Sequence, residues 1–167
     1  MKRIFAVLLP FALCASAAFA FDDDDSVVRW RTIVGVITSQ GVDSPVGNIH
    51  SGATAWSARS GRASVNLANG ATFFEVEGLV INGTTSTGTP GGVTAVKGTL
   101  VCDAGTATQT IHDTTTVPLN VHGDAHFSGS LAGVPASCGN PLFLIRAGAA
   151  GRWIATGSER FIGDNGK

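Results

Sequence analysis

Between residues 27 and 38 the chain reads VVRWRTIVGVIT. Val28, Trp30, Thr32, Val34 and Val36 fall on one parity, and Val27, Arg29, Arg31, Ile33 and Ile37 on the other. A β-branched, period-two segment predicts a long strand. Its first half carries a polar face with both arginines, and its second half is apolar on both faces, as where a strand enters a core. Gly35 marks a bulge or bend within it. The pattern weakens over 39–61, read as a loop with one short strand. It returns at 63–68, with Val65 and Leu67 on one face. Asn69-Gly70 is a hairpin signal of the type I′ kind, because both central positions of that turn need positive φ. The second arm, 72–81, sets Phe74, Val76 and Val80 against Glu75 and Glu77.

Residues 82–92 carry no large apolar side chain and read as a loop rich in Gly, Ser and Thr. Strand character resumes over 93–103, with Val96, Leu100 and Cys102 on the core side. Residues 104–116 are polar and predict a loop or weak edge strand. Pro118 confines the short 117–121 segment to an edge. Ala125, Phe127, Gly129 and Leu131 alternate with His126, Ser128 and Ser130. Residues 135–141 form a turn holding Cys138. The run 142–147, apolar apart from Arg146, predicts a central strand, and 152–159 the last one. About eight or nine short strands without alternating helices predict an all-β fold. An antiparallel β-sandwich is expected, with a small β-barrel as the alternative and one domain over 27–160.

The first twenty residues stand apart from this pattern. Lys2 and Arg3, the apolar run 4–13 and Ala18-Phe19-Ala20 have the layout of a secretory signal peptide. Cleavage after Ala20 is expected, with a secreted or periplasmic product. The run is shorter than the roughly 20 residues a transmembrane helix needs. Cys14 raises a lipoprotein alternative, disfavoured by the large Leu13 before it. The acidic run Asp22 to Asp25 reads as a solvated N-terminus over 21–26. A weak calcium site is the competing reading, although a straight run lacks spaced ligands. Residues 161–167 are read as a C-terminal tail.

Charge and composition narrow the class. Charged residues make up 14% of the chain and its net charge is −1, which becomes −3 once Lys2 and Arg3 are removed. That balance gives no footprint for nucleic acid and no polybasic membrane signal. Twenty-two glycines fit a chain of many tight turns. Two cysteines, Cys102 and Cys138, remain after cleavage. In an oxidising compartment an isolated pair reads as one disulfide. Closing a loop of about 37 residues is worth roughly 4 kcal/mol. A reactive or metal-binding thiol pair is the alternative, without a C-x-x-C spacing to support it.

The C-terminal half carries the stretches GTLVC (98–102), VPL (117–119), GDAHF (123–127), PASC (135–138), FLIR (143–146) and GRWIA (151–155). With Pro141, these resemble a group of secreted bacterial proteins of unknown function. The resemblance runs from about residue 93 to 157. It implies an exported β domain with these two cysteines paired, and it implies no activity, ligand or catalytic residue.

Chemistry-bearing constellations are few. His122, Asp124 and His126 lie within five residues and would bind zinc or copper if a turn gathered them. On a straight strand the two histidines stand about 13 Å apart, too far for one ion. The competing reading is two solvent-facing histidines at a strand start. His112 and Asp113 would complete such a site only if the fold brought them near. Glu75 and Glu77, about 7 Å apart on one strand face, match the spacing of an inverting glycosidase pair but read more simply as a solvated face. Trp30, Trp56 and Trp153 read as core or rim packing, with a sugar-stacking platform as the alternative. No G-x-S-x-G elbow is present. No catalytic residue, metal or cofactor is therefore expected. The leading expectation is a secreted non-catalytic β domain, binding or structural, with an extracellular glycan or protein as partner. A small enzyme or metal protein using the His122/His126 region and a barrel carrying an apolar ligand are the alternatives.

Overall fold

The computed structural model describes residues 26–148 and 151–162. The leader, Cys14, the acidic run Asp22 to Asp25 and the last five residues of the chain lie outside the described residues. Eleven strands follow in order: β1 Val27–Gly35, β2 Trp56–Ser57, β3 Ser60–Asn66, β4 Ala71–Glu77, β5 Val80–Ile81, β6 Ala95–Cys102, β7 Thr110–Asp113, β8 Val117–Pro118, β9 Ala125–Ser130, β10 Leu142–Ala147 and β11 Trp153–Ile162. The fold is all-β and antiparallel. Nine strands form one sheet in the order β7-β6-β10-β11-β1-β3-β4-β9, with β8 continuing the β7 edge along β6. This sheet curls into a half-barrel, so a single sheet supplies both walls of the core. β2 and β5 pair as a separate ribbon. Among the described residues no helix is long and apolar enough to cross a membrane.

The curl is filled by aromatic side chains set against glycines on neighbouring strands. Trp30 and Phe143 lie 5.4 Å apart between ring centroids, Phe143 and Phe74 5.8 Å, and Phe74 and Phe127 5.7 Å. These rings form one continuous chain through the core. A Cβ at Gly98 would come within 2.7 Å of Phe143 and 2.8 Å of Phe74, and one at Gly157 within 2.6 Å of Trp30. These two glycines are the space the rings occupy, the small-against-large complementarity of a filled barrel interior. Trp30, Trp56 and Trp153 are all buried, so the three indoles pack inside and do not form a surface platform.

β10 sits between β6 and β11, the central placement its largely apolar run predicts, with Arg146 its one charged residue. Cys102 ends β6 in the core and is bonded to Cys138, with a Cα–Cα distance of 5.0 Å. The bridge pins the connection between β9 and β10 to β6.

Three local expectations change. Alternation in β1 does not run through: Val28 and Trp30 are buried, and the next buried residues are Ile33 and Val36. Opposite this phase change, Glu159 takes φ +51°. Gly35 marks a close approach, since a Cβ there would stand 2.2 Å from the Trp56 carbonyl oxygen. The Asn69-Gly70 hairpin forms, but Gly70 alone of the pair has positive φ. The Asn66 side chain accepts from the amides of Ala68 and Asn69, which winds a longer loop than a type I′ turn. Finally, β4 ends at Glu77, because Gly78 at φ +62° breaks the alternation. Leu79, not Val80, is then the fully buried residue.

Candidate functional site

The residues singled out in the sequence end in three separate places. His122, Asp124 and His126 flank the turn that opens β9. Gly123 occupies φ +80° and its backbone presses on Leu79, where a Cβ would stand 2.4 Å from the carbonyl oxygen. The Asp124 carboxylate accepts from the Gly78 amide at 2.9 Å and from Asn120 Nδ2 at 3.1 Å. These two bonds hold its pKa below the usual carboxylate value. Asn120 Oδ1 in turn accepts from the amides of His122 and Asp124. Asp124 thus closes a turn. His126 projects from the strand beside Phe73, edge-on at 5.2 Å. Among the described residues no group of three or more His, Cys, Asp or Glu side chains is placed to hold a metal ion.

His112 lies on the edge strand β7, where its ring nitrogens meet the Ala132 carbonyl and Thr110 Oγ1. Asp113 belongs to a charged cluster on the outer side of β6 and β10. Lys97 Nζ lies 2.5 Å from it, Thr99 Oγ1 donates at 2.7 Å, and Arg146 Nη1 donates at 3.0 Å. Burial raises the Asp113 pKa, but the bonds from Lys97 and Thr99 and the charge of Arg146 outweigh it and lower the value. Glu75 and Glu77 are each ion-paired, to Arg62 at 2.7 Å and Arg59 at 3.2 Å.

A Ser/His/Asp grouping escapes the sequence reading. Asp43, His50 and Ser51 meet in the long β1–β2 connection. The Asp43 carboxylate bonds His50 Nδ1 and accepts from the Ser51 amide at 2.8 Å and hydroxyl at 3.2 Å. The His50 bond leads the causes that lower the Asp43 pKa, followed by the Ser51 amide. Ser51 is 0% exposed, and its hydroxyl bonds Asp43, not His50. A nucleophile needs an exposed hydroxyl bonded to the base. This grouping instead fastens the connection to β11, where Trp153 Nε1 donates to the Ser44 carbonyl and Arg152 donates to the Ser51 carbonyl.

A further surface feature lies on the outer face of β1, β3 and β4. There an open groove of about 650 Å³ is lined by Arg29, Arg31, Arg62, Ser64 and Phe73 over the backbone of Trp30 and Ala63. Antiparallel partners share a face, so register explains the grouping. Arg29 stands opposite Phe161 on β11 and Ser64 on β3, and Ser64 opposite Phe73 on β4. One residue pair along, Arg62 stands opposite Glu75, and Glu75 opposite His126 on β9. The burial of Val28 and Trp30 turns Arg29 and Arg31 outward. Arg31 lies over the Phe161 ring at 3.9 Å, and Arg62 over Phe73 at 5.2 Å. The sequence shows the two arginines of β1 as a polar face. It does not show Arg62, Phe73 and Phe161 beside them, because that depends on strand order.

With this geometry in hand, comparison with known proteins adds no identity: no protein-family model, no curated protein and no solved structure matches the chain.

Proposed function

We propose that this chain is an exported, non-catalytic β domain that binds a ligand on the outer face of β1, β3 and β4. The observation that carries the reading is the convergence of Arg29, Arg31 and Arg62 on one groove. Its volume falls in the range of about 300–1,000 Å³ usual for ligand sites. The groove sits on strands paired on both sides, a rigid base for a binding surface. The disulfide is compatible with maturation outside the cytoplasm, in line with a leader cleaved after Ala20. The aromatic fill of the core supports an external ligand over an apolar molecule carried inside. Engagement of Glu75, Glu77, Asp113 and Asp124 by arginine, lysine or amide donors supports a non-catalytic role.

The test is a binding and turnover screen on the mature chain, purified from culture with its N-terminus determined by mass spectrometry. The expected result is a chain beginning at Phe21 that binds members of a glycan and peptide array saturably. Ester, glycoside and peptide reporters are expected to stay intact. Reporter turnover that follows the protein through purification would overturn the non-catalytic reading.

A further inference from the structure

We infer that the groove takes an acidic polysaccharide, a chain bearing repeated carboxylate or sulfate groups, and this rests on the proposed binding role. The lining holds three guanidinium groups and no carboxylate. Guanidinium groups pair carboxylate and sulfur or phosphorus oxyanions through two parallel N–H donors, which gives direction as well as charge. Arg29 and Arg31, two residues apart on one strand, are about 7 Å apart along it, and the neighbouring strand that carries Arg62 lies about 5 Å to the side. Cations spread this way match anions repeated along a chain better than one compact ion.

The guanidinium groups of Arg31 and Arg62 are each stacked on an aromatic ring. Stacking of Arg31 on Phe161 and of Arg62 on Phe73 limits their rotation before a ligand arrives and lowers the ordering cost of binding. Arg62 also reaches Glu75 at 2.7 Å, a carboxylate outside the groove lining.

The same features argue against the other polymers. β1 is paired to β11 and β3, and β3 to β1 and β4. The groove therefore offers no free strand edge, and a peptide cannot add as a further strand here. Single-stranded nucleic acid needs open aromatic faces for base stacking, and the rings of Phe73 and Phe161 are each faced by an arginine.

The experiment measures binding of the mature protein to polygalacturonate, a sulfated dextran, neutral dextran, a poly-dT oligonucleotide and a polyglutamate peptide across a salt series. The expected result is binding to one or both acidic polysaccharides, weakening steeply with salt, with none to neutral dextran. Changing Arg29, Arg31 and Arg62 together to Gln is expected to weaken it at least tenfold. Arg59→Gln, outside the groove lining, should leave it unchanged. Arg31→Lys keeps the charge and loses the paired donors, so an intermediate loss is expected; it also serves if the triple variant does not fold. Acidic-polysaccharide binding that survives the arginine changes would overturn the inference. So would tighter binding of the oligonucleotide or polyglutamate. A ligand found only among neutral glycans or peptides would sink the inference while sparing the binding role, and no saturable ligand at all would sink both.

Discussion

Replacing both Cys102 and Cys138 with alanine removes the single covalent tie in the β domain. The two residues are 36 apart in sequence. In the chain-entropy treatment, a closed loop of about 37 residues restricts the unfolded chain by about 4 kcal/mol at 25 °C. For a domain of this size that corresponds to a fall in Tm of about 10–16 °C. Cys102 is buried at the end of β6, so loss of its sulfur also removes some packing, in the same direction. Urea unfolding followed by tryptophan fluorescence is the suitable assay, since Trp30 sits in the aromatic chain of the core. The double variant should unfold at lower urea, with a steeper dependence because its unfolded chain exposes more surface. Dithiothreitol should bring the native protein down to the variant's midpoint and leave the variant where it is. A loss below about 1 kcal/mol, with an unchanged slope, would refute the loop-closure reasoning.

Other outcomes follow from single positions. Gly98→Ala pushes a methyl group into Phe143 and Phe74 and should cost about 1–3 kcal/mol. Gly92→Ala, with nothing within 4 Å, should be neutral or gain up to about 1 kcal/mol; equal effects at the two sites in thermal melts would count against the packing account. Asp113 has a lowered folded-state pKa, so its contribution is fully present above its unfolded value near 3.8 and is lost as pH falls through the folded one. Asp113→Asn should therefore flatten the fall in stability below about pH 5, read from melting temperatures across a pH series. Added zinc should leave Tm unchanged, because the Asp124 carboxylate is engaged by Gly78 and Asn120. A zinc-dependent rise abolished by His122→Ala would restore the metal reading.

Strand identity was legible in the sequence wherever one face of a strand meets the core and the other meets water. At 72–77 the alternation of Phe74 and Val76 with Glu75 and Glu77 survives intact, because the solvent-core boundary coincides with the pleat. The same holds for Ala125 and Phe127 against His126. The largely apolar run at 142–147 marked a central strand, and β10 lies between β6 and β11. Composition and two isolated cysteines likewise carried the all-β class and the disulfide.

Tertiary structure decided what depends on neighbours in space. A strand's period says which way Arg29 and Arg31 point, but only the order β11-β1-β3-β4 brings Phe161, Arg62 and Phe73 to their side. The contact of Asp43 with His50 and Ser51 lies in a stretch without period, so nothing local announced it. Gly98 and Gly157 fall within strands in the sequence pattern, but only the packing shows them as core positions shaped by rings from other strands. Periodicity is a property of one segment against solvent. Groove, cluster and ring contacts are properties of register between segments, which hydrogen bonding along the whole curled sheet sets together.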